Sequence, residues 1–454
     1  MHGSDPPFSR ALVVGLGASG RGAVRLLRHL GVAVRVYDRG EPEPPDGVQT
    51  FFGQAQIPDA AFEGIDLLVL SPGVPPQDAL TAQRRLAPDA TVHGELGLAL
   101  ALMHGGARAG WSLPPTSLIT GTNGKSTVTA LLGAILQADG RHPFVGGNLG
   151  ATLSDALVDL GDDGPLPTDL VLECSSYQLE TLPQIPTRVG IVLNVTPDHL
   201  DRYRDMEHYA TTKAQVFAGL DPDGLALVSH DDAYVDVVAP DHPGCVRVGA
   251  PDGPRVTGPG AGDTLRFVGD ETMSRDRLRL AGRHNASNAV FATVAARHLG
   301  VPLTTCIEVL ETFGGLPHRM VHVRDLDGVA WFNDSKATNV ASALASLGGL
   351  DGKFVLIAGG LAKGDDLQPL ADLLAQRGRG IVAIGDAQAQ FLALAQAPMP
   401  AVPAADLTEA VDRARAMARP GDAVVLAPAC ASFDQFRSYA ERGERFTAAV
   451  LALK

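Results

Sequence analysis

The sequence predicts an α/β protein of three domains, each built on a largely parallel sheet. Apolar runs of strand length alternate with helical patterns along the whole chain. Glycine-rich turns join a strand to a helix at two places, near 15–20 and near 121–127. Breaks rich in Gly and Pro fall at 104–115 and 314–318.

Residues 11–15 read as a buried strand, 20–30 as a helix ending at Gly31, and 32–37 as a second strand, which together make a βαβ unit. The run 66–70 is another strand, closed by Ser71-Pro72-Gly73. A linker is placed near 104–115. Residues 117–120 form a strand, followed by a glycine turn and a helix from about Lys125. Further strands are expected at 169–173 and 190–195, and 223–280 reads as β-rich and turn-rich. Beyond the second break, 353–359, 380–384 and 423–427 are short apolar strands separated by helices. The resulting domains are 1–93, 94–316 and 317–454.

Of the 454 residues, 45% are hydrophobic and 19% charged, which excludes wholesale disorder. A formal net charge of −14 repels phosphate backbones and argues against a nucleic-acid partner, while leaving room for a local basic pocket. Cys174, Cys245, Cys306 and Cys430 are scattered without a CxxC pair, as expected of reduced thiols. The polar N-terminus lacks a signal-peptide core, and no apolar stretch nears the roughly 20 residues of a membrane span. A cytoplasmic protein with no membrane span is expected, with a monomer as the default.

Gly15-Leu16-Gly17-Ala18-Ser19-Gly20 sits between a strand and a helix, where glycines let the backbone approach a diphosphate. Asp38 ends the next strand, about where an acid meets a ribose hydroxyl, and Ser71 with Gly73 supplies a second backbone wall. Taken alone, this Rossmann-like fingerprint fits NAD, another diphosphate such as a UDP-sugar, or a bare tight turn. Gly121-Thr122-Asn123-Gly124-Lys125-Ser126-Thr127 is a phosphate loop, shortened because Ile119 stands where the full spacing has glycine. A helix start capped by Thr122 or Asn123 is its structural alternative. Glu173 in LECSSYQLE and His199 in NVTPDHLDRY follow two further strands. They fit ligands of Mg²⁺ bound to ATP, or a capping acid and an ordinary loop histidine.

The phosphate loop, ECSSYQLE, NVTPDHLDRY, GRHNASNA, GLPHR, NDSKATN and PACASFDQF occur in this order over roughly 11–446. Together they resemble the Mur ligase family, and the last two resemble its D-glutamate-adding branch. The resemblance implies a Rossmann-like first domain holding UDP, a central P-loop-type ATPase domain and a Rossmann-like C-terminal domain for the amino acid. It implies ATP, two Mg²⁺ ions, and the substrates UDP-N-acetylmuramoyl-L-alanine and D-glutamate, joined through an acyl phosphate in peptidoglycan precursor synthesis. Folylpolyglutamate synthases share the phosphate loop and are the near alternative; an NAD-dependent oxidoreductase is the distant one.

By the same resemblance, Lys125 holds the γ-phosphate, and Ser126 and Glu173 bind the first Mg²⁺. His199 and a carbamylated Lys213 bind the second; spacing alone reads Lys213 as an exposed helix lysine. Asn285, Asn288, Arg319 and Asp334 contact the nucleotide. Ala18, Ser19, Asp38, Arg39, Ser71 and Gly73 face the UDP moiety; Asn148, Ser175 and Gln178 face the sugar-peptide. Lys336, Thr338, Lys363, Ser432, Phe433 and Tyr439 receive D-glutamate, a dicarboxylate that needs charge-assisted partners. The sequence departs from the family pattern at Tyr439, where phenylalanine is usual, and at Leu361-Ala362.

Overall fold

The computed structural model describes residues 7–108, 110–161, 164–200, 202–258, 263–280, 282–350, 352–362, 364–396 and 398–454. The first sheet contains β1 (Arg10–Val14), β2 (Ala33–Asp38), β3 (Gln49–Phe52), β4 (Leu67–Leu70) and β5 (Thr91–Gly94). Its order is β3-β2-β1-β4-β5 and every pairing is parallel. Both faces of β1 are covered. Ala11 and Val13 join one core cluster, while Leu12 and Val14 join another with Phe62 and Leu68. A strand buried on both faces reads as an unbroken apolar run, as ALVV does.

The second sheet contains β6 (Thr116–Thr120), β7 (Phe144–Gly147), β8 (Leu170–Glu173), β9 (Thr187–Val192), β10 (Leu220–Ser229) and β11 (Cys245–Val248). It is also parallel, in the order β11-β10-β9-β6-β8-β7. Between the two sheets the chain runs through the Glu95–His104 helix, which is apolar on all sides and buried from Glu95 to Leu100. Its leucines belong to the same cluster as Val13 and Leu172, so the first two sheets share one core. Between the end of this helix at His104 and the start of β6 at Thr116 the described residues form no regular element, as the Gly/Pro content predicts. The 223–280 region is indeed strand-rich and ends in a small sheet of β12 (Arg255–Thr257), β13 (Thr264–Arg266) and β14 (Thr272–Ser274).

The third large sheet contains β15 (Val321–Leu326), β16 (Val329–Asn333), β17 (Phe354–Gly359), β18 (Gly378–Ile384), β19 (Ala401–Pro403) and β20 (Ala423–Leu426). The order is β15-β16-β20-β17-β18-β19. Only β15 runs antiparallel, joined to β16 by a tight Asp327-Gly328 turn with φ of 55° and 74°. The remaining pairings are parallel, and separate apolar clusters cover the two faces.

The chain forms two compact units. One is Met1–Arg255 with Arg266–Glu271 and Val290–Cys306, and it holds the first two large sheets. The other is Val256–Leu265, Thr272–Ala289 and Ile307–Lys454, and it holds the third. All four cysteines are free thiols. Among the described residues, no helix is long and apolar enough to cross a membrane.

Candidate functional site

In each large sheet the candidate residues follow the carboxyl ends of central strands, where open parallel sheets bind ligands. In the first sheet the strand order reverses between β1 and β4. The turn after β1 is tight because Gly15 has φ 88°, and a Cβ there would lie 2.8 Å from Val74. A Cβ on Gly20 would collide with the Gly15 carbonyl oxygen. The Ser71 hydroxyl donates to that same oxygen at 2.7 Å, so Ser71 braces the turn. Asp38 accepts from the Leu16 N–H at 2.7 Å and from the Gly40 N–H at 2.8 Å. Both its oxygens are thus committed to shaping the backbone.

Ala18 and Ser19 open the Ala18–His29 helix, whose first turn carries no acid. That end of the helix therefore keeps its attraction for an anion. A cavity of about 530 Å³ beside it is lined by Gly15, Asp38, Arg39, Gly73 and Arg85, among others.

In the second sheet the phosphate loop follows β6. Gly121 and Gly124 have φ of 152° and 85°, conformations that side chains resist. The loop is pinned to the segment after β9: Asn123 N–H donates to Asn194 Oδ1 at 2.8 Å and Asn194 Nδ2 to the Asn123 carbonyl at 3.0 Å. Thr122 and Thr196 are joined at 3.1 and 3.0 Å. Lys125 Nζ donates to the carbonyls of Gly121 and Thr122, both at 2.8 Å. Ser126 is buried at the start of the Lys125–Ala138 helix. Asn194 was not among the expected site residues, although it stands at a strand end in the NVTPDH motif.

Glu173 ends β8 and is 2% exposed. Asn148 Nδ2 donates to its Oε1 at 2.7 Å, while Oε2 is buried without a hydrogen-bond partner. Ser175 and Gln178 form a capping box on the Ser176–Leu179 helix, with the Ser175 N–H donating to Gln178 Oε1 at 2.9 Å. Two of the expected sugar-peptide contacts therefore have a structural duty as well.

His199 sits in a left-handed conformation, φ 56°, and its ring centroid lies 4.8 Å from that of Tyr177. Such strain in a non-glycine residue collects at functional loops. The Arg202 guanidinium stacks over Tyr177 at 4.2 Å, pairs with Glu180 at 2.6 Å and reaches the Pro72 carbonyl at 3.0 Å. It ties the loop after β4 to the His199 loop. Lys213, on the Met206–Ala214 helix, is only 1% exposed, against the exposed lysine that spacing alone suggests. Its ammonium lies over the Tyr209 ring at 4.3 Å. Burial, reinforced by the charge of Lys125, pushes its pKa well below the ordinary lysine value. Among the described residues, no three His, Cys, Asp or Glu side chains gather into a metal cage.

The second unit carries the remaining candidates. Asn285 and Asn288 are buried on the Arg283–His298 helix, with Asn288 Nδ2 donating to Asn285 Oδ1 at 3.2 Å. Asp334 follows β16 and accepts from the Met320 N–H at 3.1 Å. Burial pushes its pKa up to about 7, against the pull of Arg319. Lys336 Nζ lies 3.8 Å over the Tyr439 ring, and the Thr338 N–H donates to the Lys336 carbonyl at 2.8 Å. Ser432 is buried, whereas Phe433 is 72% exposed. Lys363 lies outside the described residues.

Three family models match in chain order: the Mur ligase MurD-like N-terminal domain over residues 9–91, the Mur ligase middle domain over 119–296, and the Mur ligase glutamate ligase domain over 318–430. A protein of Nitrosospira multiformis named UDP-N-acetylmuramoylalanine–D-glutamate ligase is 38% identical, over 98% of this chain and 95% of its own. One of the same name from Aromatoleum aromaticum is 40% identical over 97% of each chain. Among solved structures, UDP-N-acetylmuramate-alanine ligase MurC of Thermotoga maritima shares the fold, with TM-score 0.60, 18% identity, and 98% of this chain and 100% of that one covered. Folylpolyglutamate synthase of Mycobacterium tuberculosis aligns with TM-score 0.58 and 18% identity, over 77% of this chain and 93% of its own. With three domain models in sequence and relatives of this identity along nearly its whole length, the chain belongs to the Mur ligase family.

Proposed function

We propose that the chain is an ATP-dependent ligase that adds D-glutamate to UDP-N-acetylmuramoyl-L-alanine, a cytoplasmic step in making peptidoglycan precursors. The observation that carries the ligase chemistry is the set of groups after β6, β8 and β9: a phosphate loop, a buried carboxylate with a free oxygen and a desolvated lysine. The choice of substrates rests on relatives 36% to 40% identical that share one name. The MurD-like first domain supports this reading over a folylpolyglutamate synthase.

In this reading the γ-phosphoryl group of ATP passes to an oxygen of the alanyl carboxylate and ADP leaves. The amine of D-glutamate then attacks the acyl carbon. A C–N bond forms, the amine loses a proton, and the C–O bond to phosphate breaks. Lys125 exchanges its loop carbonyls for the γ-phosphate, and the Gly121–Thr127 N–H groups hold the chain of phosphates. Ser126 and Glu173 fit one Mg²⁺, because the free Oε2 of Glu173 is a hard oxygen donor in a dry site. His199 and a carbamate on Lys213 fit a second. When bound, the ions offset charge on the phosphoryl oxygens.

Asn285, Asn288, Arg319 and Asp334 serve the nucleotide. Ala18, Ser19, Arg39 and Gly73 serve UDP, with Asp38 and Ser71 shaping its turn, and Asn148, Ser175 and Gln178 serve the sugar-peptide. Lys336, Thr338, Lys363, Ser432, Phe433 and Tyr439 serve D-glutamate. The test is ADP release by the full chain with ATP, Mg²⁺, UDP-N-acetylmuramoyl-L-alanine and each of a panel of amino acids. D-glutamate alone should support turnover. Equal stimulation by L-glutamate, or activity with a folate in place of the UDP-sugar, would overturn the assignment.

A further inference from the structure

Arg442 lies in the charged run AERGERF on the Tyr439–Ala452 helix, and its side chain is completely buried. Its Nε donates to Ser335 Oγ at 3.0 Å. Nη1 donates to the carbonyls of Cys430 at 3.2 Å and Ala431 at 3.3 Å. Nη2 donates to the carbonyls of Ser335 at 2.9 Å and Cys430 at 3.2 Å. These five bonds match the five N–H groups of a guanidinium, and none goes to a carboxylate. Burial lowers the pKa of Arg442 to about 10, so the charge is held in place by carbonyl oxygens.

The acceptors come from two loops, one after β16 and one after β20. Their next residues in sequence are Lys336 and Ser432. A third loop, after β17, closes on the same point: a Cβ on Gly360 would come within 3.3 Å of Nη1, and Leu361 bridges Ala431. Ser335 also donates through Oγ to the Tyr439 carbonyl at 2.8 Å, and the Tyr439 ring carries the Lys336 ammonium. One planar, fixed fork therefore sets the spacing of Lys336, Ser432 and Tyr439.

We propose that Arg442 is a positioning residue for the acceptor amino acid: it touches no substrate, but fixes the loops that present Lys336 and Ser432 to a dicarboxylate. This inference rests on the functional reading above. Arg442→Lys offers three donors for four acceptors, without the planar fork, and cannot keep both loops. In the full chain it should raise KM for D-glutamate roughly tenfold or more, since small misplacements of binding groups are costly. KM for the UDP-sugar should stay within about twofold of wild type, because its groups reside elsewhere, and KM for ATP should move less than KM for D-glutamate, because Asp334 alone of its proposed contacts adjoins Ser335.

Ser335→Ala, which removes one acceptor, should shift KM for D-glutamate the same way but less. Hydrogen exchange should rise in 334–338 and 428–433 of both variants. An unchanged KM for D-glutamate, equal movement of all three KM values, or unaltered exchange in those loops would each overturn the role of Arg442. If the wild type turned over only with a different amino acid, the substrate assignment would fall. The KM split read with that amino acid, together with the exchange data, would still decide the positioning role of Arg442.

Discussion

Lys213 shows most clearly how burial redirects the chemistry of one residue. A desolvated ammonium is unfavourable, so its folded pKa is depressed. Its contribution to stability is then fully present above the unfolded value of about 10.4 and is lost as pH falls through the depressed folded value. The neutral amine has a lone pair that can attack CO₂: an N–C bond forms, one C=O opens and the nitrogen loses a proton, giving an anionic carbamate. Added bicarbonate should therefore raise the thermal unfolding midpoint of the wild type and leave Lys213→Met unmoved. On the proposed carbamate, Lys213→Arg should lose ~10²-fold or more in turnover, because arginine keeps a positive charge and cannot be carbamylated in this way. Equal bicarbonate responses in wild type and Lys213→Met, or near-normal turnover of Lys213→Arg, would make this an ordinary buried lysine.

At the scale of elements, the turns are the best-determined parts. Gly20 lies within the Ala18–His29 helix against the Gly15 carbonyl, and that contact holds the helix N-terminus over the crevice. Gly20→Ala must push the helix away. It should destabilise the protein by about 1–3 kcal/mol and weaken UDP-sugar binding while leaving ADP affinity intact, as titration calorimetry can measure. An Ala variant that binds the UDP-sugar normally would show that the turn does not set the crevice.

This turn and the phosphate loop were legible in the sequence because glycine at a strand–helix junction has few other uses. The central strands were legible because both faces are buried. The edges were not: β7 is FVGG and β19 is three residues ending in proline, so pairing alone makes them strands. β9 was expected at 190–195 but spans Thr187–Val192, because Leu193 and Val195 are buried in the following loop and prolong the apolar run. Lys213 and Arg442 were hidden for the opposite reason. Charged residues at helical spacing look solvated, and only tertiary packing buries them.

For the whole molecule, the decisive fact is that the first two sheets share one core through the Glu95–His104 helix. A ligand on the first sheet therefore stabilises the entire first unit by linkage, by about 2.7 kcal/mol at a hundred times its Kd. Asp38 bears on which nucleotide the proposed site would take. In a nicotinamide site an acid in this position binds the ribose hydroxyls. Here both its oxygens already accept backbone N–H groups from Leu16 and Gly40. An acid so engaged is less free to take up the ribose hydroxyls of a dinucleotide. UDP-N-acetylmuramoyl-L-alanine should thus raise the unfolding midpoint of the full chain, UDP alone should do so less, and NADH should leave it unchanged at the same concentration. A larger shift with NADH than with the UDP-sugar would mean that the first domain is a dinucleotide site, and the ligase reading would lose its sugar-nucleotide substrate.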